Sequence, residues 1–293
     1  MRGMSKNLLS FGHGYSAQAL SRLLLPMGWN ITGTTRSDEK ASQLRDEGVT
    51  AVVWPGNDIS QALSQATHVL VSAGPSEHGD PVLNALRDQI AAKAKDLKWV
   101  GYLSTTGVYG DHQGGWVDET TPLTPSTRRG RFRQQAEQDW QDLAQEFGLP
   151  LHIFRLAGIY GPGRGPFSKV RNGTARRIIK ANQVFSRIHV EDIAQVLAAS
   201  IAQPNPGAIY NLCDDDPAPP QDVIAYAAEL LNLPVPPAVA FEDADMTPMA
   251  RSFYAESKRV RNDRIKTELG ISLLYPTYRD GLQALLESEK AAQ

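Results

Sequence analysis

A glycine-rich segment near the start of the chain has the residue types and spacing to bind phosphate. It joins the first predicted strand to a helix through a tight turn, with small residues in the pattern G-x-G-x-x-A at Gly12, Gly14 and Ala17. The first glycine permits the turn, the second lets the backbone approach a pyrophosphate, and the alanine lets helix and strand pack closely. The helix start at Tyr15 and Ser16 supplies free N–H groups and a positive dipole end. The pattern predicts a dinucleotide-binding loop; a glycine-rich turn without a ligand is the alternative.

A single arginine follows the second predicted strand, where the cofactor ribose would lie. NAD usually meets an acidic residue there, whereas the 2′-phosphate of NADP is met by arginine. This chain offers Arg36, flanked by the hydroxyls of Thr35 and Ser37, so we predict NADP. A solvated arginine that stacks on the adenine of either cofactor leaves NAD open. We also expect Ala73 and Gly74, at the end of the fourth predicted strand, to line the cofactor site.

Alternating strands and helices are the elements that must position these residues. Apolar runs bounded by turn residues predict strands at 7–11, 30–35, 51–54, 68–73, 99–104, 151–156 and 209–212. Helical patterns between them cover 16–27, 82–97 and 128–147. This alternation predicts an α/β fold, namely a Rossmann-type, doubly wound parallel sheet with a smaller C-terminal substrate lobe.

Two proline- and glycine-rich loops mark the expected domain boundaries. One is residues 161–166 (GPGRGP), and the other follows the last predicted strand at 214–220. We therefore predict a dinucleotide-binding domain at 1–163, continued by 186–213. The substrate lobe would consist of residues 164–185 and 214–293.

Several further segments carry a resemblance to a known family. They are residues 104–110 (STTGVYG), Asp118 and Glu119, Pro122, Pro125, residues 155–163 (RLAGIYGPG) and residues 188–194 (IHVEDIA). Together with the glycine loop, their order and spacing resemble the extended short-chain dehydrogenase/reductases, the NAD-dependent epimerase/dehydratase family. The resemblance runs from the N-terminus to about residue 212, and the last 80 or so residues match only loosely.

The resemblance implies a catalytic hydroxyl at Thr105. This side chain would hydrogen-bond the substrate oxygen that gains or loses a proton. A strand-end hydroxyl that caps the next turn is the alternative reading.

The same resemblance implies a Y-x-x-x-K pair on the helix at 128–147, with a glutamate four residues beyond the lysine. With Glu137 as that glutamate, Arg133 stands at the lysine position and Arg129 at the tyrosine position. Arginine stays protonated and is a poor proton shuttle. Arg133 can still hold ribose or phosphate oxygens, and Arg129 could bind an anion. The cofactor site is thus expected to be intact and the usual proton relay lost, with Glu119 or His112 as candidate replacements.

A local cluster of basic residues points to an anionic ligand. No acidic residue interrupts the seven cations Arg164, Lys169, Arg171, Arg176, Arg177, Lys180 and Arg187. Arginine forks bind phosphate well, so the segment suits a phosphorylated or nucleotide-linked substrate such as a nucleotide sugar. An ordinary solvated surface is the alternative.

The composition argues against several classes of partner. The formal net charge is -2, which gives no electrostatic case for nucleic acid or a membrane surface. No apolar run approaches the ~18 residues of a membrane span, and none resembles a secretory signal. With Cys213 as the one cysteine and no clustering among the six histidines, we predict no metal and a cytoplasmic location. A homodimer is left open.

Two functions from different classes fit these features. The first is an NAD(P)-dependent oxidoreductase, epimerase or dehydratase that acts on an anionic small molecule. The second is a non-catalytic dinucleotide-binding sensor or scaffold. The missing tyrosine and lysine favour the second, and the basic segment favours the first.

Overall fold

The computed structural model describes residues 6–291, in which strands and helices alternate. The strands are β1 (Asn7–Phe11), β2 (Asn30–Thr35), β3 (Thr50–Val53), β4 (His68–Val71), β5 (Trp99–Thr105), β6 (Trp116–Val117), β7 (Leu151–Leu156), β8 (Gly158–Tyr160), β9 (Arg177–Ile179), β10 (Arg187–His189), β11 (Ile209–Leu212), β12 (Ala238–Ala240) and β13 (Arg259–Val260). The helices are α1 (Tyr15–Leu24), α2 (Asp38–Asp46), α3 (Ser60–Gln65), α4 (Pro81–Lys93), α5 (Arg128–Phe147), α6 (Phe167–Arg171), α7 (Val190–Ala202), α8 (Pro220–Leu230), α9 (Pro248–Phe253), α10 (Asp263–Leu269) and α11 (Tyr278–Ala291). Two 3₁₀ turns occupy Leu25–Met27 and Thr106–Tyr109.

The seven strands predicted from the sequence form one sheet in the order β3-β2-β1-β4-β5-β7-β11. Strand β1 pairs in parallel with both β2 and β4, and the pairs β2–β3 and β4–β5 are parallel too. The predicted Rossmann-type sheet is therefore confirmed. Its strand order reverses between β1 and β4, and ligands of such sheets bind beyond the carboxyl ends of the strands at that point.

Burial explains why the central strands read as continuous apolar runs. Every residue of β4 and of β7 is buried, as expected for strands covered on both faces by helices. On one face, Leu63 of α3, Leu86 and Ile90 of α4, and Trp140 and Leu143 of α5 share a core with the strands. Within residues 6–291, no helix is both long and apolar enough to cross a membrane.

The chain divides into two compact units. The first contains the residues up to Thr105 together with 132–155 and 193–210, and the second contains 106–131, 156–192 and the residues from Asn211 onward. In this division, residues 106–131, 156–163, 186–192 and 211–213 of the expected dinucleotide-binding domain group with the second unit. Part of the reason is long-range pairing, since β6 pairs with β13 and β8 pairs with β10.

The second unit has its own small core and short parallel pairs. Strand β9 pairs with β12 in addition to the two pairs above. Buried side chains from α6, α8 and α11 pack together, among them Phe167, Val223, Ala227, Leu282 and Leu285. All seven cations of the basic segment noted in the sequence lie in this unit.

Candidate dinucleotide site

The loop after β1 packs directly against the loop after β4. Gly12 has φ +72°, and a Cβ atom there would lie 2.9 Å from the backbone nitrogen of Ala73. Both the left-handed backbone and the close approach require glycine. The structure thus places the predicted residues Gly12 and Ala73 together at the carboxyl ends of β1 and β4.

Thr34 of β2 holds this loop at two points. Its Oγ1 accepts a hydrogen bond from the backbone N–H of Gly12 at 2.9 Å. Its carbonyl oxygen accepts one from the N–H of His13 at 2.8 Å. These two hydrogen bonds fix the glycine loop to the end of β2, two residues before Arg36.

The His13 side chain fills the space between α1 and β2. It is buried, and its Nε2 lies 3.0 Å from the Oγ of Ser21. A Cβ at Gly33 would lie 2.6 Å from the imidazole ring, so the ring needs glycine at this point of β2. Burial, aided by the charge of Lys40, lowers the pKa of His13 to about 4. The imidazole is therefore neutral near pH 7.

Gly14 differs from Gly12 because its Cβ position has no close neighbour among residues 6–291. It is the N-cap of α1, with extended φ and ψ of -98° and -155° and without a side-chain cap. A Cβ atom at this position would have the Gly12 carbonyl oxygen as its nearest neighbour, 3.7 Å away. Ser16 and Ala17 are buried behind it and Tyr15 is half-buried. The open space and uncapped helix start fit a pyrophosphate group.

Arg36 is exposed directly after β2. The next residue, Ser37, caps α2 by accepting a hydrogen bond from the N–H of Lys40 at 3.3 Å. This cap fixes the start of the helix that follows the arginine. The guanidinium lies at the strand end where Rossmann-type proteins contact the ribose.

Arg133 of α5 reaches the end of β5. Its Nη1 donates to the carbonyl oxygen of Leu103 at 2.5 Å and to the hydroxyl of Tyr102 at 3.1 Å. Its Nη2 would lie 3.4 Å from a Cβ built on Gly74. The predicted residues Gly74 and Arg133 are thus neighbours. Strand β5, which ends at Thr105, supplies both hydrogen-bond acceptors of Arg133.

Glu137, one helical turn beyond Arg133, is part of a buried ion pair. Its Oε2 accepts a hydrogen bond from Nη2 of Arg155 at 2.7 Å, and Arg155 Nε lies 3.2 Å from both carboxylate oxygens. The hydroxyl of Ser104 also donates to Glu137. The pair ties α5 to β5 and β7, so Glu137 is committed to the fold and has no free oxygen for chemistry.

The other expected catalytic residues are placed as follows. Thr105 ends β5 and is half-buried, and Arg129 is exposed in the first turn of α5, one turn before Arg133. Glu119 accepts a hydrogen bond from the N–H of Asn211 at 2.8 Å. His112 Nε2 lies 3.0 Å from the carbonyl oxygen of Tyr109. Glu119 and His112 therefore both have structural partners in the second unit.

The basic segment does not form one uniform charged surface. Arg177, Lys180 and Arg187 donate hydrogen bonds to backbone carbonyls of the second unit. Arg171 pairs with Glu289. Arg164, Lys169 and Arg176 are exposed, and Arg176 also donates to the carbonyl oxygens of Gly173 and Ala175. Across residues 6–291, no three His, Cys, Asp or Glu side chains are grouped closely enough to hold a metal ion.

Two buried residues near Arg133 were missed by the sequence reasoning. Tyr102 is fully buried, and its role as acceptor depends on a contact between β5 and α5 that no local pattern reveals. Asp80 caps α4 by accepting hydrogen bonds from Val82 at 2.9 Å and Leu83 at 3.1 Å. The Asp80-Pro81 dipeptide is a typical N-cap signal and could have revealed this cap.

Comparison with solved structures shows the same fold in other proteins. A conserved protein of unknown function from Silicibacter pomeroyi DSS is 65% identical, with a TM-score of 0.93 over 97% of this chain and 99% of that one. UDP-glucuronic acid 4-epimerase from Bacillus cereus, solved with UDP-glucuronic acid and NAD, is 17% identical, with a TM-score of 0.79 over 98% and 100%. At that identity the second likeness shows the fold alone.

Sequence comparison extends the likeness over nearly the whole chain. Protein YeeZ of Escherichia coli K12 is 29% identical over 284 residues, which are 92% of this chain and 97% of that protein. The family model described as the NAD dependent epimerase/dehydratase family matches residues 11–213. These residues include the glycine loop, Arg36, Thr105 and Arg133. With this match over most of its length, the chain belongs to the NAD dependent epimerase/dehydratase family.

Proposed function

We propose that this protein binds a nicotinamide dinucleotide at the carboxyl ends of β1, β2 and β4, with NADP preferred over NAD. The observation that carries the proposal is the contrast between its two loop glycines. Gly12 is enclosed by the backbone of Ala73, whereas Gly14 borders open space at the uncapped start of α1. A backbone that approaches a ligand needs glycine at the second position for this reason.

The preference for NADP rests on Arg36. The residue is exposed at the end of β2, and its neighbour Ser37 is held in place as the cap of α2. A guanidinium binds a 2′-phosphate through charge-assisted hydrogen bonds, which a free 2′-hydroxyl cannot match.

The bound cofactor would supply hydride transfer, and this chain would supply binding and orientation. The Thr105 hydroxyl would hydrogen-bond a substrate oxygen, and Arg133 would hold cofactor oxygens with its fork. Arg129 would bind an anionic group of the substrate. Neither arginine can exchange a proton near pH 7, so a proton would have to come from the substrate itself or from water. Reductase, epimerase and dehydratase chemistry all fit the family.

The proposed substrate is an anionic small molecule such as a nucleotide sugar. Similarly folded proteins have been solved with UDP-glucuronic acid or UDP-glucose. In this chain, the exposed cation Lys169 of the second unit could attract phosphate. The other side chains of the basic segment with structural partners contribute to the fold of that unit.

A non-catalytic dinucleotide sensor is the second candidate, favoured by the contacts of Arg133. Its Nη1 is bonded to Tyr102 and Leu103, and no tyrosine stands at the relay position. Absorbance of NADPH, followed with a panel of nucleotide sugars and simple carbonyls, separates the two. Turnover that depends on Thr105 supports the enzyme, and tight NADPH binding without turnover of any panel member supports the sensor.

Calorimetry with NADPH and NADH tests the cofactor preference at one fixed salt concentration. The natural protein should bind NADPH more tightly, and Arg36→Ala should lose about tenfold in NADPH affinity while NADH affinity changes little. Added salt should reduce the difference, because an exposed charge pair is screened. Arg22→Ala, which removes an exposed arginine at the far end of α1, is the matched control. Equal affinities for the two cofactors in the natural protein would refute the preference.

A further inference from the structure

The guanidinium of Arg133 is oriented by a hydroxyl that lies in the core of the sheet. Tyr102 of β5 is fully buried, and its hydroxyl accepts a hydrogen bond from Nη1 of Arg133 at 3.1 Å. The same Nη1 donates to the carbonyl oxygen of Leu103 at 2.5 Å. The Arg133 Cζ lies 5.6 Å from the centre of the Tyr102 ring. Two acceptors on adjacent residues of one strand therefore fix one arm of the fork.

The other arm of the fork points to the loop after β4. Nη2 lies 3.4 Å from where a Cβ of Gly74 would be, and Gly74 follows Ala73, which encloses Gly12. This loop borders the crevice where a dinucleotide would bind at the reversal of strand order. No hydrogen bond to Nη2 is seen among residues 6–291, so this nitrogen can donate to a ligand.

Among residues 6–291, no carboxylate accepts a hydrogen bond from Arg133, whose acceptors are Tyr102 and Leu103. Glu137, its nearest acidic neighbour along α5, is paired with Arg155. Asp80 is buried and uses one oxygen to cap α4. Burial raises the pKa of Asp80, and its hydrogen bonds and the charge of Arg133 oppose this rise. Within the described residues Arg133 has neutral oxygens as its direct partners, so an anionic ligand would not have to displace a hydrogen-bonded carboxylate.

Tyr102 itself is not a replacement for the missing catalytic tyrosine. Its side chain has no exposed surface, and burial raises the pKa of its hydroxyl above the ordinary value. A neutral, enclosed phenol cannot reach a substrate as a base. Its hydroxyl instead serves as a hydrogen-bond acceptor for Arg133.

We propose that Tyr102 is a positioning residue, which holds Nη1 of Arg133 so that Nη2 faces the dinucleotide at Gly74, and that this arrangement requires arginine at position 133. The inference rests on the proposed cofactor binding. An arginine has two terminal nitrogens in a rigid fork, and one can be fixed while the other binds a ligand. A lysine has one ammonium group at that distance. Although that group has three N–H donors, its single nitrogen cannot lie both at the Nη1 position beside Tyr102 and at the Nη2 position beside Gly74.

The test is a double-mutant cycle on NADPH affinity, with thermal stability measured for every variant. The natural protein, Tyr102→Phe, Arg133→Lys and the double variant are titrated by calorimetry. We expect each single variant to bind about tenfold more weakly. The double variant should bind no more weakly than Arg133→Lys alone, because the tyrosine acts only through the arginine. Additive losses, or unchanged affinity in folded Tyr102→Phe, would overturn the proposal.

A matched control separates positioning from general loss of a buried hydroxyl. Tyr109 is equally buried and donates to Asn211 at 2.7 Å in the second unit. Tyr109→Phe should lower stability and leave NADPH affinity unchanged.

If Tyr102→Phe fails to fold, a comparison at position 133 keeps the proposal open to refutation. Arg133→Lys should then bind as weakly as Arg133→Met, and natural affinity in Arg133→Lys would overturn it. Failure of the natural protein itself to bind NADPH or NADH would instead refute the cofactor proposal on which this one rests.

Discussion

At the scale of single residues, four buried histidines are held in their neutral form. They are His13, His68, His152 and His189, and burial lowers the pKa of each from 6.5 to about 4. His152 shows why, since its Nε2 accepts a hydrogen bond from the backbone N–H of Asn205 at 2.9 Å. Protonation of Nε2 would abolish that bond and place a charge in the core.

These histidines should make the free energy of unfolding depend on pH below neutrality. In the unfolded chain they take up protons near pH 6.5, whereas in the folded protein they do so near pH 4. The stability they contribute is complete above pH 6.5 and is lost as the pH falls through 4. Each histidine adds a slope of up to about 1.4 kcal/mol per pH unit between these values.

Urea denaturation between pH 4.5 and 6.5 measures this slope at a single histidine. His152→Gln should show a slope smaller than that of the natural protein by about one proton, or ~1.4 kcal/mol per pH unit. His78→Gln, at an exposed histidine, should keep the natural slope. If the His152→Gln slope equals the natural one, His152 is not held neutral in the folded state.

At this scale, local constraints could be predicted from the sequence and long-range ones could not. The positions of Gly12 and Gly14 follow from what a tight turn and a close approach require of the backbone. The contact between Tyr102 and Arg133 joins residues 31 positions apart and depends on how α5 packs on the sheet. The need for glycine at position 33 likewise cannot be seen in its own segment, because it comes from the close approach of the His13 ring.

At the scale of elements, α5 is held on the sheet by a buried ion pair. The side chains of Arg155 and Glu137 are 4% and 2% exposed, whereas those of Arg87 and Glu146, which link α4 to α5, are 43% and 58% exposed. Removing one charge of a buried pair leaves the other without compensation and is strongly destabilising, whereas water stabilises the remaining charge of an exposed pair. The buried pair therefore fixes the position of α5, and with it Arg133, against β5 and β7.

Glu137 of the buried pair and Glu146 of the exposed pair both lie in α5, so neutralising each in turn compares the two pairs. Glu137→Gln keeps the shape of the side chain but leaves Arg155 without a counter-charge, and should lower the free energy of unfolding by about 3 kcal/mol or more. Glu146→Gln should change it by less than about 1 kcal/mol. Urea denaturation at pH 7 gives both values. Equal effects of the two substitutions would show that the buried pair does not hold α5.

The strands of the main sheet and helix α5 were predictable because their patterns are strong, whereas α8 and α11 were not among the predicted helices. All seven strands of the main sheet and the full extent of α5 match the sequence prediction. Buried parallel strands are continuous apolar runs with turn residues at both ends, which makes them easy to recognise. The short strands such as β6 and β13 have two residues each, too few for any periodicity, and depend on pairing with distant segments.

At the scale of the whole molecule, the family follows from sequence motifs, whereas the compact units follow from long-range contacts. The family resemblance was carried by motifs in residues 12–194, and the family match covers residues 11–213. The unit boundaries were set by composition at the Pro- and Gly-rich loops, whereas the compact units follow from contacts such as β6–β13 and β8–β10. Such contacts join segments that are distant in sequence, so loop composition alone cannot locate them.

The proposed binding of a nicotinamide dinucleotide by the loop at Gly14 is tested most directly by NADPH calorimetry on Gly14→Val. The backbone of Gly14 is extended and its Cβ position is open, so valine should leave the thermal midpoint nearly unchanged. The side chain would fill the space of the pyrophosphate, and NADPH affinity should fall by about a hundredfold or more. Gly12→Ala should instead destabilise the fold, because its Cβ would meet Ala73 at 2.9 Å. A folded Gly14→Val variant that retains natural NADPH affinity would contradict the account.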